Sequence, residues 1–228
     1  MQNLKVYIGY DPSEDIAWEV AKFSLLRNSS IPLSVYKLKQ DYLRDLGLYT
    51  RSRDESASTE FSLTRFLSPF LANHDGWTLF VDCDFLFTDD ISKLLAGLDL
   101  RKSVYVVKHD YIPTKLIKMD GSKQTTYPRK NWSSFMVFNG RDQFVRSLNP
   151  TIVNNATPAY LHRFEWVPDE QIGEIDLSWN FLEGEYPRPN AIPSAIHFTN
   201  GGPWFQEWQQ VDFADLWQKE KTLYEQSL

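Results

Sequence analysis

The sequence predicts a three-layer α/β domain built on a mostly parallel sheet. Two observations carry that reading. Short β-rich runs alternate with helical patterns through the first half of the chain, and the most apolar run, "GWTLFVDCDFLF" (76–87), reads as a buried strand that runs into two acids. With 228 residues, 42% hydrophobic and 15% aromatic, the chain has the material for one domain, 1–228, with a sizeable core.

The elements follow in order. "LKVYIGY" (4–10) is a β-rich run that stops at Asp11-Pro12. "SEDIAWEVAKFSLLRNSS" (13–30) has helical spacing of Ile16, Val20 and Phe23, with Ser13 as the expected N-cap. "PLSVYKL" (32–38) is a second strand, so the first forty residues read as a β-α-β unit. The stretch 39–57 is polar and expected to be irregular. "STEFSLTRFLSPFLA" (58–72) reads as a helix capped by Ser58 or Thr59, with Glu60 in its first turn. The acid-bearing run then supplies a strand over 77–82, "DDISKLLAGL" (89–98) a short helix and "SVYVVKH" (103–109) another strand. A polar, turn-rich loop (112–132) precedes strand-like "SSFMVFN" (133–139). Beyond 150 the chain is rich in Pro, Trp and Asn. There, "SAIHFTNGGPWF" (194–205) reads as a strand entering a glycine turn, and "FADLWQKEKTLYEQ" (213–226) as a closing amphipathic helix.

Composition removes several functional classes. The net charge is −6 and no basic stripe occurs, which argues against nucleic acid as a partner. No run approaches the roughly 18 apolar residues of a membrane helix, and the first residues lack the apolar core of a signal peptide. The single cysteine, Cys83, excludes an intramolecular disulfide framework, so a cytoplasmic location is expected.

The chemistry concentrates on Asp82 and Asp84. Alternation along a strand puts them on one side, with Cys83 opposite, at the carboxyl end of a central strand where open α/β sheets bind ligands. Two carboxylates so close repel unless a cation or a proton lies between them, and a hard divalent metal resolves the conflict. His197, closing the strand "SAIHF", adds an imidazole to the set. An Asp, Asp, His donor set suits Mn²⁺, with Mg²⁺ as the alternative ion. The turn after it, Gly201-Gly202-Pro203-Trp204, lets backbone N–H groups approach an anion. A metal beside an anion-binding turn points to a diphosphate, whose departure the metal would assist as a Lewis acid.

With those pieces placed, the chain resembles the GT-A (Rossmann-like) nucleotide-sugar glycosyltransferases, and among them the retaining family 8 that includes glycogenin and bacterial galactosyl- and glucosyltransferases. The resemblance lies in motif order along nearly the whole chain. It implies a UDP-sugar donor, UDP-glucose or UDP-galactose, an unidentified acceptor, and metal held by Asp82, Asp84 and His197. It aligns Tyr10 and Asp11 with the family's nucleobase and ribose contacts, and Arg65 with its upstream basic residue. Cys83 falls within the family's DxD triplet, and Pro203-Trp204 completes its late His-to-Trp motif. "KMDG…YPRKNWSS" and "HFTNGGPWF" are similar to segments of bacterial glycosyltransferases of mostly unassigned acceptor. The pair beside the anomeric carbon aligns with Asp169 and Glu170, the latter where the family has Gln. The donor-contacting Asn-x-Gly aligns with Trp132, Ser133 and Ser134. Gly202 stands where the family usually has Lys, so the basic pair Arg129-Lys130 is the expected replacement for that charge.

Each assignment has a plainer alternative: Asp11 as a turn acid, Arg65 as a solvated helix residue, Asp169 and Glu170 as caps, Trp204 as a core aromatic. Two other functions compete. A haloacid-dehalogenase-type phosphohydrolase also uses a DxD after an apolar strand, but on an early strand and with Thr or Val where this chain has Leu86. A carbohydrate-binding protein would use the Trp-rich surface without needing the paired acids or His197.

Overall fold

The computed structural model describes residues 3–53, 59–110 and 128–228. Its strands are β1 (Leu4–Gly9), β2 (Leu33–Leu38), β3 (Trp77–Val81), β4 (Phe85–Phe87), β5 (Val104–Val106), β6 (Phe135–Asn139), β7 (Ile172–Glu174), β8 (Phe181–Leu182) and β9 (Ala195–His197). Six of them form one sheet in the order β2-β1-β3-β6-β5-β7. Its pairings are parallel except for the two that β6 makes, with β3 and with β5. The other three, β4-β9-β8, make a small second sheet. This is the α/β architecture with a mostly parallel sheet that the sequence predicts.

The middle of the large sheet is covered on both faces. Every residue of β6, and all of β3 after Trp77, is buried, which is why these segments read as unbroken apolar runs without alternation. The first helix, Asp15–Asn28, buries Trp18, Val20, Ala21 and Leu25 and packs on β4 and on the closing helix, Ala214–Gln226. A bidentate ion pair joins those two helices: Arg27 Nε and Nη2 donate to the two carboxylate oxygens of Glu220, each at 2.7 Å.

The structure corrects three local expectations. Ser13 is not the cap of the first helix. Instead the Asp11 carboxylate accepts from the Ser13 backbone N–H and caps a 3-10 turn, Pro12–Glu14, that leads into the helix. The segment after 58 is not one helix. Ser58 lies outside the described residues, Thr59 onward forms turns, and a 3-10 turn (Thr64–Leu67) and a one-turn helix (Ser68–Leu71) follow. Pro69 and the tight burial of Phe61, Phe66 and Leu67 explain why no regular helix forms. The polar stretch after 38 holds a short helix, Gln40–Asp45, that anchors through buried Leu43. Residues 112–127 of the polar loop lie outside the described residues.

Two registers position the site. Ile8 of β1 pairs with Val81 of β3, so Asp11 and Asp82 leave the sheet along the same edge. Phe85 of β4 pairs with His197 of β9, and the backbone N–H of Phe198 donates to the carbonyl of Asp84 at 3.0 Å. The small sheet thereby carries a residue more than a hundred positions away to the side of the acids.

Candidate active site

A cavity of about 370 Å³ opens at that edge, lined by Asp82, Asp84 and His197 together with Asp11, Glu14, Arg65, Ser133 and Ser134. One ligand atom from each of Asp82, Asp84 and His197 lies within 4.8 Å of the others. His197 Nε2 is 3.2 Å from an oxygen of Asp84. The strand stops at Val81, so Asp82, Cys83 and Asp84 lie in the bend that joins β3 to β4 and not on an alternating strand; Cys83 is fully buried and lines no part of the cavity. Burial, reinforced by the acids around it, pushes its thiol well up, so it offers no thiolate.

Arg65 is buried, 5% exposed, and is committed to the site. Its Nη1 lies 2.9 Å from the Asp82 carboxylate and donates to the Ser133 carbonyl, also at 2.9 Å. Its guanidinium sits over Phe61 and Phe80, which fix it from the apolar side. The described residues lining the cavity carry five carboxylates, Asp11, Glu14, Asp82, Asp84 and Glu207, against one guanidinium. That excess of negative charge fits a bound divalent cation, and a mixed carboxylate and imidazole donor set fits Mn²⁺.

The structure adds residues that the sequence reading passed over. Glu14, 4% exposed, faces the acids, and burial together with Asp84, Asp11 and Asp82 holds its carboxyl well above the usual range. Nothing in "DPSED" distinguishes it from an ordinary first-turn acid. His162 lines the cavity with Nδ1 2.9 Å from Ser133 Oγ, and burial beside Arg65 brings its pKa down to about 3, leaving the ring neutral. Asn131 also lines the cavity, in the left-handed conformation (φ 62°). Its neighbour Trp132, the position aligned with a donor-contacting Asn, instead turns its indole N–H to the His109 carbonyl at 3.0 Å. Of the segment 131–134, Asn131, Ser133 and Ser134 line the cavity and Trp132 does not.

Other expected site residues lie off the described cavity wall. Tyr10 follows β1, its hydroxyl donates to Asp15, and Lys37 and Lys39 sit over its ring. Asp169 and Glu170 are on an exposed 3-10 turn. The Asp169 carboxylate, 78% exposed, takes the Arg129 guanidinium at 2.6 Å, and the Glu170 carbonyl accepts from Lys102. Arg129 also donates to the Arg163 carbonyl, and Lys130 is buried. Gly201 and Gly202 line no part of the cavity; Thr199, Phe205 and Trp208 of the same segment do. Trp204, partly buried, packs on Phe198 and Trp217, and its side chain interacts with Glu14 of the cavity wall.

A sheet with this strand order and an acid-rich, imidazole-bearing cavity at its carboxyl edge is the fold of the GT-A glycosyltransferases. Solved structures agree. The glycosyltransferase GlyE of Streptococcus pneumoniae superposes with a TM-score of 0.65 at 14% identity, over all of this chain and 63% of that one. The bifunctional glycosyltransferase WbbM superposes at 0.63 and 17% identity, over 96% of this chain and 49% of that one. The galactosyltransferase LgtC, in complex with donor and acceptor sugar analogues, gives 0.57 and 9% identity, over 96% of this chain and 95% of that one. This chain thus spans about half of WbbM and under two thirds of GlyE. No protein-family model matches the sequence. The chain belongs to the same family as Protein CDI of Arabidopsis thaliana, with which it is 47% identical over 224 residues, 96% of this chain and 86% of that protein. Among the described residues, no helix is long and apolar enough to cross a membrane.

Proposed function

We propose that this chain is a metal-dependent glycosyltransferase that moves a hexose from a UDP-sugar, UDP-glucose or UDP-galactose, to an acceptor with retention of configuration. The observation that carries the proposal is the convergence of Asp82, Asp84 and His197 within 4.8 Å at the carboxyl edge of a GT-A sheet. The bound divalent ion would neutralise charge on the departing diphosphate. The chain's own part is positional. Arg65 holds Asp82 in place, Asn131 and the Ser133–His162 pair offer a neutral polar wall to donor hydroxyls, and Asp11 is the acid nearest the end of β1, where the ribose is expected. Retention and the UDP moiety follow from the family resemblance. The resemblance alone supports Asp169 and Glu170, on an exposed 3-10 turn, as the pair beside the anomeric carbon.

UDP release from UDP-glucose and UDP-galactose, measured with Mn²⁺ and a panel of saccharide acceptors, tests the proposal. Activity is expected to vanish in chelator, to return with Mn²⁺ better than with Ca²⁺, and to be mostly lost in a folded Asp84→Asn variant. Full activity in excess chelator overturns metal dependence. Phosphate release from simple esters without UDP release would replace the reading with a phosphohydrolase.

A further inference from the structure

We infer that Asn180 is a positioning residue that decides which ring nitrogen of His197 faces the cation, and that Ser134 decides which way Asn180 points. This rests on the metal-site reading above and deepens it.

An imidazole can serve as a ligand only through a nitrogen that presents its lone pair, and the partner of the other nitrogen sets which one does. His197 is buried, with Nε2 directed at Asp84, where a shared cation would lie. Its Nδ1 lies 2.9 Å from Asn180 Oδ1. An amide oxygen only accepts, so Nδ1 carries the proton and Nε2 remains available. Asn180 could impose the reverse if its amide were turned over, because an NH₂ group facing Nδ1 would leave the proton on Nε2, toward Asp84. Ser134 prevents that. The Asn180 Nδ2 donates to Ser134 Oγ at 2.9 Å, and the Ser134 hydroxyl donates its own proton to the Asn131 carbonyl at 2.7 Å. With its proton spent there, Ser134 Oγ can only accept from Asn180. Turning the amide over would set two acceptors against each other in a site where Asn180 is 0% exposed.

The chain of donors therefore runs from His197 to Asn180, from Asn180 to Ser134 and from Ser134 to Asn131. It ties the ligand on β9 to two other elements, the 3-10 turns Leu177–Asn180 and Trp132–Ser134. Ser134, aligned by resemblance with a donor-sugar contact, acquires a structural task as the brace of this relay.

The test uses the full chain as wild type, Asn180→Leu, Asn180→Asp and Ser134→Ala. Free Mn²⁺ is read by electron paramagnetic resonance, folding by circular dichroism, and the His197 Nδ1 proton by ¹H–¹⁵N NMR. Asn180→Leu is expected to weaken Mn²⁺ binding about 10–100-fold, the usual cost of losing a partner that orients a ligand, and to lose the slowly exchanging Nδ1 proton. Asn180→Asp still accepts from Nδ1 but turns a second acceptor to Ser134 Oγ, so it should keep the Nδ1 proton and bind Mn²⁺ more tightly than Asn180→Leu and less tightly than wild type. Ser134→Ala should show a smaller loss in both. A folded Asn180→Leu with wild-type affinity and an unchanged Nδ1 proton overturns the inference. If that variant does not fold, Ser134→Ala decides alone, and no change in either readout overturns it. A wild type that binds no Mn²⁺ would sink the metal reading instead, while the Nδ1 proton would still report on Asn180.

Discussion

Glu14 illustrates how much one buried acid can cost. It faces Asp82 and Asp84 with its carboxyl pushed well above the ordinary value of 4.5, first by burial and then by its acidic neighbours. A group whose pKa is raised on folding contributes stability that is complete below its ordinary value and is lost as pH rises through the raised one. In chelator, then, Glu14→Gln should melt at the wild-type temperature near pH 4 and a few degrees above it at pH 8. Adding Mn²⁺ should narrow that gap, because the cation relieves the repulsion in the wild type. Thermal melts across pH check this; a variant no more stable than wild type at pH 8 refutes it. Arg65 shows the opposite balance, since its burial is offset by Asp82, by the Ser133 carbonyl and by two aromatic faces.

At the scale of elements, the glycine turn after β9 explains a departure from the resembled family. Gly201 has φ 128°, a backbone region that side chains rarely adopt, and a Cβ there would lie 2.9 Å from the Trp208 ring. A Cβ on Gly202 would run into the Trp204 ring, which is itself wedged against Phe198 and Trp217. The turn is packed shut around its aromatics, so it has no room for the Lys that family 8 usually carries. Restoring that residue as Gly202→Lys should destabilise the chain by about 1–3 kcal/mol, as overpacking does. It should also leave UDP affinity no tighter. Urea denaturation measures the first and a UDP titration in Mn²⁺ the second; a stable variant with tighter UDP binding contradicts this account.

For the molecule as a whole, two neutral histidines contribute to the loss of stability in acid. Burial brings both His109 and His162 down to about 3 from an ordinary 6.5, with His197 adding to the effect on the first and Arg65 on the second. A depressed histidine contributes stability above its ordinary value and loses it as pH falls toward the lowered one. Acidification from pH 6.5 to 5 should cost about 1.5 kcal/mol for each ring, because the unfolded imidazole is half protonated at 6.5 and the slope approaches 1.36 kcal/mol per pH unit only below it. Glu14 acts with the opposite sign over the same range, so the comparison is between variants: urea unfolding of His162→Gln should show a shallower loss of stability from pH 7 to pH 5 than wild type. An equally steep loss would mean that His162 is not held neutral in the fold.

Local sequence alone determined the strands that matter most and the polarity of their ends. β1, β2, β3 and β6 are runs of strand length bounded by turn residues, and the apolar run of β3 ends directly before Asp82 and Asp84. His197 was legible through the motif order of a known family, because its distance from the acids in the chain is bridged only by the pairing of β4 with β9. Tertiary structure alone decided the rest. Asn180, Glu14 and His162 carry no local signal, since a buried amide, acid or imidazole is defined by what surrounds it. The surroundings of Asp169, Glu170 and Arg129 were likewise set by the fold: Asp169 and Glu170 lie on an exposed 3-10 turn, the Asp169 carboxylate pairs with Arg129, and the Glu170 backbone carbonyl accepts from Lys102. Periodicity reports which face of an element is buried. It carries no information on which distant element covers that face, and in this chain that second choice assembles the site.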